Sequence, residues 1–271
     1  MHRHPRVAHA ALALAVVVAL AACGAPAQPT EQGFREVRAV VSTAGAEPVL
    51  AASLLVLDGA VINPSAFTEV FEGVWLAGVA PVGDDGTVTI DLPDGAVVPA
   101  SLLAPAADLL DPHWFNVACE LDVSDVDASL TPVTILELIS FPGISAVTAS
   151  GAALTIVTAQ PFDLGEDDIE AADFVTFAYS DAVTTITTPT GGCSESGTDV
   201  FVDVALTAGW NQVSWRFTLE RDPVTDAVIG FEAVHLGNDD TSPIHVSVLP
   251  FFLGEEFGGA QTLGLGATPK R

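Results

Sequence analysis

The sequence predicts an all-β fold made of two β-sandwich-like regions. Apolar and polar residues alternate in short runs, those runs are separated by Gly, Pro, Asp and Asn, and the 3.6-residue period of helices is scarce. About a dozen such runs follow one another, which is typical of β-sandwiches. A hydrophobic content of 49% over 271 residues is enough to bury a substantial core.

The clearest predicted strand is 210–219, in which an apolar face alternates with a solvated one: Val213, Trp215, Phe217 and Leu219 on the first, and Gln212, Ser214, Arg216 and Thr218 on the second. Together with the alternating run 200–206 and the short linker between them, it predicts a hairpin. A second hairpin is predicted from 73–80 and 87–92, because the Asp-Gly pair at 85–86 is suited to a tight turn.

Weaker signals complete the predicted elements. Helical turns are predicted only within 99–110 and 165–173. The remaining predicted strands are 35–41, 49–57, 133–139, 152–158, 174–180, 183–188, 227–234 and 244–250.

The N terminus has the pattern of a secretory signal peptide. Arg3 and Arg6 precede an apolar run at 10–20 and then small residues, so residues 1–22 are expected to be removed. The run is too short for a comfortable membrane span.

The end of this signal, Leu20-Ala21-Ala22-Cys23-Gly24, resembles the lipobox of bacterial lipoproteins. The resemblance implies cleavage before Cys23, a diacylglyceryl group on its thiol, and acylation of the new amino terminus by palmitate or a similar fatty acid. Such chains hold a protein on a lipid bilayer, since each buried CH₂ contributes about 0.8 kcal/mol. An ordinary signal peptide with a chance cysteine is the alternative.

Composition shifts predict the domain organisation. Residues 23–33 form a lipidated tether, 34–111 an N-terminal and 112–253 a C-terminal β-sandwich-like domain, and 254–271 a flexible Gly-rich tail.

The charge balance excludes one class of function. With 35 acidic and 8 basic residues the formal charge is −27, so a nucleic-acid partner is not expected. Acidic loops such as 84–85, 122–127 and 166–168 are candidates for calcium, but none has the EF-hand pattern, and solvated turns are the favoured interpretation.

No catalytic residue and no cofactor is predicted. Outside the signal, the only histidines are His113, His235 and His245. His235 and His245 flank a loop that contains Asp239 and Asp240, and adjacent antiparallel strands would let the four share a metal, but the sequence has neither the HExxH motif nor the cysteine pair of known zinc sites, so no metal site is predicted. The run Gly192–Ser196 fails the G-x-S-x-G spacing of a hydrolase nucleophile.

The cysteine count predicts one disulfide bond. Once Cys23 carries lipid, Cys119 and Cys193 remain as an even pair in an exported chain, where disulfides persist. Two separate free thiols are the alternative.

Three segments, GDDGTVTIDLPDG, FVTFAYSDAVTTITTPTGGC and VFVDVALTAGWNQVSWRFTL, resemble parts of uncharacterised secreted bacterial lipoproteins. In those proteins a module similar to carboxypeptidase-regulatory-like or transthyretin-like sandwiches precedes a second β region. The resemblance implies an anchored all-β exterior protein and brings no activity with it.

These observations predict a membrane-anchored cell-envelope lipoprotein with a structural or binding role and an unknown protein or glycan partner. The alternative is a lipid-tethered hydrolase or metal-binding protein. Gly24 is not the Asp that retains lipoproteins at the inner membrane, so resemblance to enterobacterial lipoprotein sorting implies the outer membrane or cell surface, if the organism has an outer membrane.

Overall fold

The fold is seen in a computed structural model of the chain. The described residues are 33–43, 48–58, 73–94, 98–109, 120–136, 139–149, 151–153, 155–163, 167–195 and 197–248. The predicted signal peptide, Cys23 and most of its tether, His113, Cys119 and the tail 254–271 lie outside them.

Within the described residues the regular structure is almost entirely β, which confirms the predicted fold class. Only three short 3-10 turns interrupt it, at Ala100–Leu102, Ala106–Asp108 and Ile169–Ala171. They fall in the two segments for which the sequence predicts helical turns. The strands are β1 (Glu36–Thr43), β2 (Val49–Asp58), β3 (Gly73–Pro81), β4 (Thr87–Asp91), β5 (Ala104–Pro105), β6 (Asp122–Val123), β7 (Ser129–Leu130), β8 (Thr134–Leu136), β9 (Ile139–Phe141), β10 (Gly143–Thr148), β11 (Gly151–Ala153), β12 (Thr155–Thr158), β13 (Phe174–Ser180), β14 (Thr184–Thr187), β15 (Cys193–Glu195), β16 (Thr198–Leu206), β17 (Gly209–Arg221), β18 (Val228–Asn238) and β19 (Ile244–Val248).

The strands form a large sheet, a four-stranded sheet and a small pair. The large sheet runs β4-β1-β19-β12-β13-β17-β18-β16-β14-β6, with β15 beside β16, and with β5 and β7 joined to it through β13. The four-stranded sheet runs β11-β10-β2-β3, and β8 pairs with β9. Most neighbours are antiparallel, but β1 with β19 and β16 with β18 are parallel.

The boundary expected near residue 111 does not separate two sets of strands, and this is a correction to the predicted domains. β1 pairs with β19, and β2 pairs with β10, so strands from both predicted regions share the same sheets. Contacts place residues 33–271 in one compact unit.

Both predicted hairpins are wrong: their strands are present, but the two strands of each hairpin do not pair with one another. β18 lies between β16 and β17, so those two strands are not neighbours. β3 belongs to the four-stranded sheet and β4 to the large one, so the turn at 83–86 carries the chain from one layer to the other. Alternation shows which face of a strand is buried, but it does not identify the neighbouring strand.

Two hydrophobic cores lie on opposite faces of the large sheet at β13. All seven residues of this strand are buried. Phe174 and Ala178 belong to one core, which we call core A, whereas Val175, Phe177 and Tyr179 belong to the other, core B. Because successive side chains of a strand point to opposite faces, β13 separates the two cores.

Each core has its own cover. Core A packs one face of β16, β17 and β18 against residues from 106–109 and 121–133. Core B lies between the large sheet and the four-stranded sheet and includes Leu54, Ile90, Trp210 and Ile244. No helix of the described residues is long and apolar enough to cross a membrane.

Candidate ligand-binding cleft

An open cleft lies on the face of β16, β17 and β18 that points away from core A. It has a volume of 810 Å³. We call it the outer cleft, and it is defined by Asp173, Phe201, Asp203, Ser214, Arg216 and His235.

The alternation of β16 shows why these side chains face outward. Val200, Val202 and Val204 are buried in core A. The residues between them, Phe201 and Asp203, therefore point to the opposite face of the sheet, into the cleft.

Strand register aligns four of the cleft residues in one row across the sheet. Phe201 pairs with His235 in the parallel ladder of β16 and β18, and His235 pairs with Arg216 in the antiparallel ladder of β18 and β17. Trp215 pairs with Phe174, which places Asp173 beside Arg216. The row therefore runs Phe201, His235, Arg216, Asp173.

Direct contacts hold both ends of this row. The rings of Phe201 and His235 stack with centroids 4.7 Å apart and planes 10° apart. Arg216 Nε donates a hydrogen bond of 2.8 Å to Asp173 Oδ1, and Arg216 Nη2 lies 2.6 Å from the same oxygen. Both contacts orient side chains that are partly or largely exposed, so the row is preorganised.

Glycines shape the cleft on two sides. Gly237 carries no side chain between Asp203 and Ser214, and a Cβ there would meet no atom nearer than 3.8 Å. Gly192, at φ +77°, approaches the Phe201 ring so closely that a Cβ would lie 2.6 Å from Cε1. Only glycine fits this position, because both the positive φ and the close approach exclude a side chain.

The cleft offers hydrogen-bonding groups on rigid strands. Arg216 uses one edge of its guanidinium for Asp173, and within the described part of the chain neither ring nitrogen of His235 has a hydrogen-bond partner. Donors and acceptors therefore lie side by side, with an aromatic stack at one end. The volume falls within the range of about 300–1,000 Å³ that is usual for small-molecule sites.

The structure does not bring the candidate metal ligands together, because the strands that carry the two histidines are not adjacent. His235 lies in β18 and His245 in β19, with β12, β13 and β17 between them. At about 4.8 Å per strand the two are about 19 Å apart along the sheet. Asp239 instead accepts a hydrogen bond of 2.8 Å from the Thr241 amide, and Asp240 is exposed. Among the described residues no group of three potential ligands could hold a metal ion.

The acidic loops use carboxylates to hold turns. The side chains of Asp85, Asp125 and Asp168 each accept a hydrogen bond from the amide two residues further on. At Asp85 the hydroxyl of Thr87 also donates, over 2.6 Å, and these bonds lower the pKa of Asp85 below its usual value. In these loops the carboxylates therefore hold the backbone turns.

Most cleft residues could not be identified from the sequence. Of its six defining residues, the sequence analysis singles out only His235, as a candidate metal ligand. Arg216 and Ser214 are predicted on the solvent face of their strand, but Phe201 and Asp173 become their neighbours only through the order of the strands. One signal points to this face: Phe201 is an aromatic residue at an outward position of a strand whose inward positions are valines.

Cys193 lies in core A with 4% of its surface exposed, in β15 opposite Val200. Cys193 is therefore a buried core residue. Cys119 lies outside the described residues, so its pairing with Cys193 stays a prediction.

Comparison with known proteins adds no relative to these observations: no protein-family model, curated protein or solved structure matches the chain.

Proposed function

We propose that this chain is a lipid-anchored protein of the cell envelope that binds a small polar ligand in the outer cleft. The observation that carries the binding role is the row from Phe201 to Asp173, because stacking and an ion pair orient groups with unused hydrogen-bonding capacity. Rigid strands position such groups better than loops do.

The anchor is proposed from the N-terminal sequence. The signal pattern of residues 1–22 and the lipobox-like LAAC at 20–23 support lipidation of Cys23. The tether to Gly33 would keep the domain within about 35 Å of the bilayer, at most 3.6 Å per residue. An envelope location, at the outer membrane or cell surface, then presents the outer cleft to exterior ligands.

A disulfide between Cys119 and Cys193 is part of this proposal. With Cys23 lipidated, Cys119 is the remaining cysteine of the sequence that can pair with Cys193. Thiol counting on the unfolded, unreduced protein tests the pairing. We expect no reactive thiol in the lipidated chain, and two would contradict the bond.

The cleft is tested with a matched pair of arginine variants. Arg216→Ala removes the guanidinium from the cleft, whereas Arg38→Ala removes an equally exposed guanidinium that pairs with Glu36 on β1. Thermal-shift measurements with panels of saccharides, amino acids and short peptides identify a ligand for the full chain.

We expect a ligand that raises the melting temperature of the wild type and of Arg38→Ala. Its dissociation constant for Arg216→Ala should be at least about tenfold higher, because a polar contact of about 1.4 kcal/mol is lost. Binding that is the same in all three proteins would contradict the assignment of the outer cleft. Absence of any ligand in the panels would contradict the proposed small polar ligand.

The anchor is tested with Cys23→Ala. We expect loss of lipidation, because the thiol is the acceptor of the diacylglyceryl group, and transfer from the detergent phase to the aqueous phase or retention of the uncut precursor. Gly24→Ala keeps the thiol and serves as the control. A shortened Cys23→Ala chain that still enters the detergent phase would overturn the lipobox assignment.

A further inference from the structure

The outer cleft holds opposite charges on two separate strands. Arg216 lies on β17 and Asp203 on β16, and β18 runs between these strands. Arg216 pairs with His235 of β18, whereas Asp203 pairs with Gly237, two residues further along. At about 4.8 Å per strand and about 3.3 Å per residue, the backbones of Arg216 and Asp203 are about 12 Å apart. The cleft therefore has a cationic end and an anionic end.

Both charged groups have unused binding capacity. Arg216 directs Nε and Nη2 to one oxygen of Asp173, and its Nη1 has no hydrogen-bond partner within the described part of the chain. Asp203 is exposed, and its carboxylate forms no hydrogen bond or ion pair with any described residue. A guanidinium suits a carboxylate of a ligand, and a carboxylate suits an ammonium group.

Gly237 leaves the floor of the cleft open between the two charged ends. It pairs with Asp203 on one side and with Ser214 on the other, and a Cβ at this position would meet no atom nearer than 3.8 Å. A dipeptide spans about 7 Å at up to 3.6 Å per residue. With a charge-assisted contact of about 2.8 Å at each end, such a ligand is long enough to bridge Arg216 and Asp203.

The aromatic ring of the cleft is not a platform for a flat ligand. His235 stacks on Phe201 from the side of β18. Gly192 adjoins β15, which pairs with the opposite side of β16, and it approaches the same ring. Because Phe201 is flanked on both sides, charge and hydrogen bonding are left to select the ligand, and not stacking on a sugar or a base.

We infer that the outer cleft takes a zwitterion of the short-peptide class, with its carboxylate at Arg216 and its ammonium group at Asp203. This inference rests on the binding role proposed for the cleft. The formal charge of −27 repels ligands that carry only negative charge. A ligand that carries only positive charge is drawn to acidic groups over the whole surface and is repelled by Arg216. A zwitterion satisfies both ends of the cleft and has no net charge.

The test uses three probes that differ only in their terminal charges. They are L-alanyl-L-alanine, its C-terminal amide and its N-acetylated form, and calorimetric titration of the full chain in detergent measures their binding. We expect the free dipeptide to bind, and each blocked form to have a dissociation constant at least about tenfold higher, because one charge-assisted contact is lost.

Two variants assign each terminus to its partner. Asp203→Asn should abolish the discrimination against the N-acetylated form and keep that against the amide, and Arg216→Gln should do the reverse. The controls are Asp199→Asn, an exposed carboxylate on the same strand outside the residues that line the cleft, and Arg38→Gln on β1. Both controls should discriminate as the wild type does.

A third variant tests the floor without removing a charge. Gly237→Val places a branched side chain between the two ends, so it should raise the dissociation constant of the free dipeptide at least about tenfold. Valine suits a strand, and a melting temperature no lower than that of the wild type checks that the variant is folded.

The blocked dipeptides binding as tightly as the free one would overturn the inference. So would discrimination that Asp203→Asn and Arg216→Gln both leave unchanged. A saccharide that binds and depends on Arg216, with no binding of the dipeptide, would overturn the zwitterion but support the proposed function. If no saccharide, amino acid or peptide binds, both fail.

Discussion

Trp210 joins the two layers that enclose core B, and replacing it with alanine is a quantitative test of the fold. Its ring stacks on Trp75 with centroids 6.4 Å apart and meets Tyr179 edge-on at 5.6 Å. Its Nε1 donates a hydrogen bond of 3.2 Å to the Pro93 carbonyl. The residue is 2% exposed, and its backbone pairs with Phe34 where the described chain begins.

Trp210→Ala should lower the free energy of unfolding by about 4 kcal/mol, since truncation of a buried Trp costs about 3–5 kcal/mol. For a domain of this size that corresponds to a fall in melting temperature of about 8–16 °C. Trp210→Phe keeps an aromatic ring between the layers but loses the indole N–H that bonds to Pro93, so it should lower the free energy of unfolding by about half as much.

Urea unfolding of the purified protein, followed by circular dichroism, measures both variants. The transition should shift to lower urea with an unchanged slope, because the change is in stability and not in the surface exposed on unfolding. A loss below about 1.5 kcal/mol for Trp210→Ala would refute the interlayer role assigned to this residue.

Two further predictions concern a glycine and a carboxylate. Gly192→Ala should destabilise the fold by more than Gly197→Ala in the same urea assay: both have a positive φ, which costs about 1–2 kcal/mol for a side chain, but only at Gly192 would the new Cβ collide with Phe201. Equal losses would remove the packing argument. The pKa of Asp85 is lowered, mainly by the hydrogen bond from the Thr87 hydroxyl and next by the one from the Thr87 amide. The stability that Asp85 contributes is therefore present above the unfolded pKa of about 3.9, and it is lost as the pH falls through the lower pKa of the folded state. Asp85→Asn should therefore flatten the decline in melting temperature between about pH 5 and pH 2, and an unchanged decline would contradict this.

The strands follow from alternation, and some follow closely. The segment 174–180 is predicted as a strand and is β13 with the same bounds, and 210–219 lies within β17. The neighbours of these strands depend on long-range pairing. β18 enters between β16 and β17, and no local pattern in the predicted hairpin at 200–219 contains that information.

The polar face of β17 shows a second limit of the sequence pattern. Gln212 lies on the face predicted to be solvated and, like its neighbour Asn211, is buried. Asn211 donates hydrogen bonds of 2.9 Å to the carbonyls of Thr207 and Gly209, and Gln212 donates one of 3.0 Å to the carbonyl of Thr241. Their amides bind backbone groups of the adjoining connections, and these partners are defined only once the chain has folded.

The outer cleft has the same limit. The sequence predicts Arg216 on a solvated face and places Asp173 at the end of a helical segment, and nothing in their spacing relates them. They meet because Phe174 pairs with Trp215 in the folded sheet.

The proposed anchoring and the proposed display of the outer cleft both depend on lipidation of Cys23. Mass spectrometry of the N-terminal peptide, from protein extracted from the membranes of a producing bacterium, measures it directly. We expect a peptide that begins at Cys23 and carries a diacylglyceryl group. An unmodified peptide that begins at any other residue would contradict the lipid anchor.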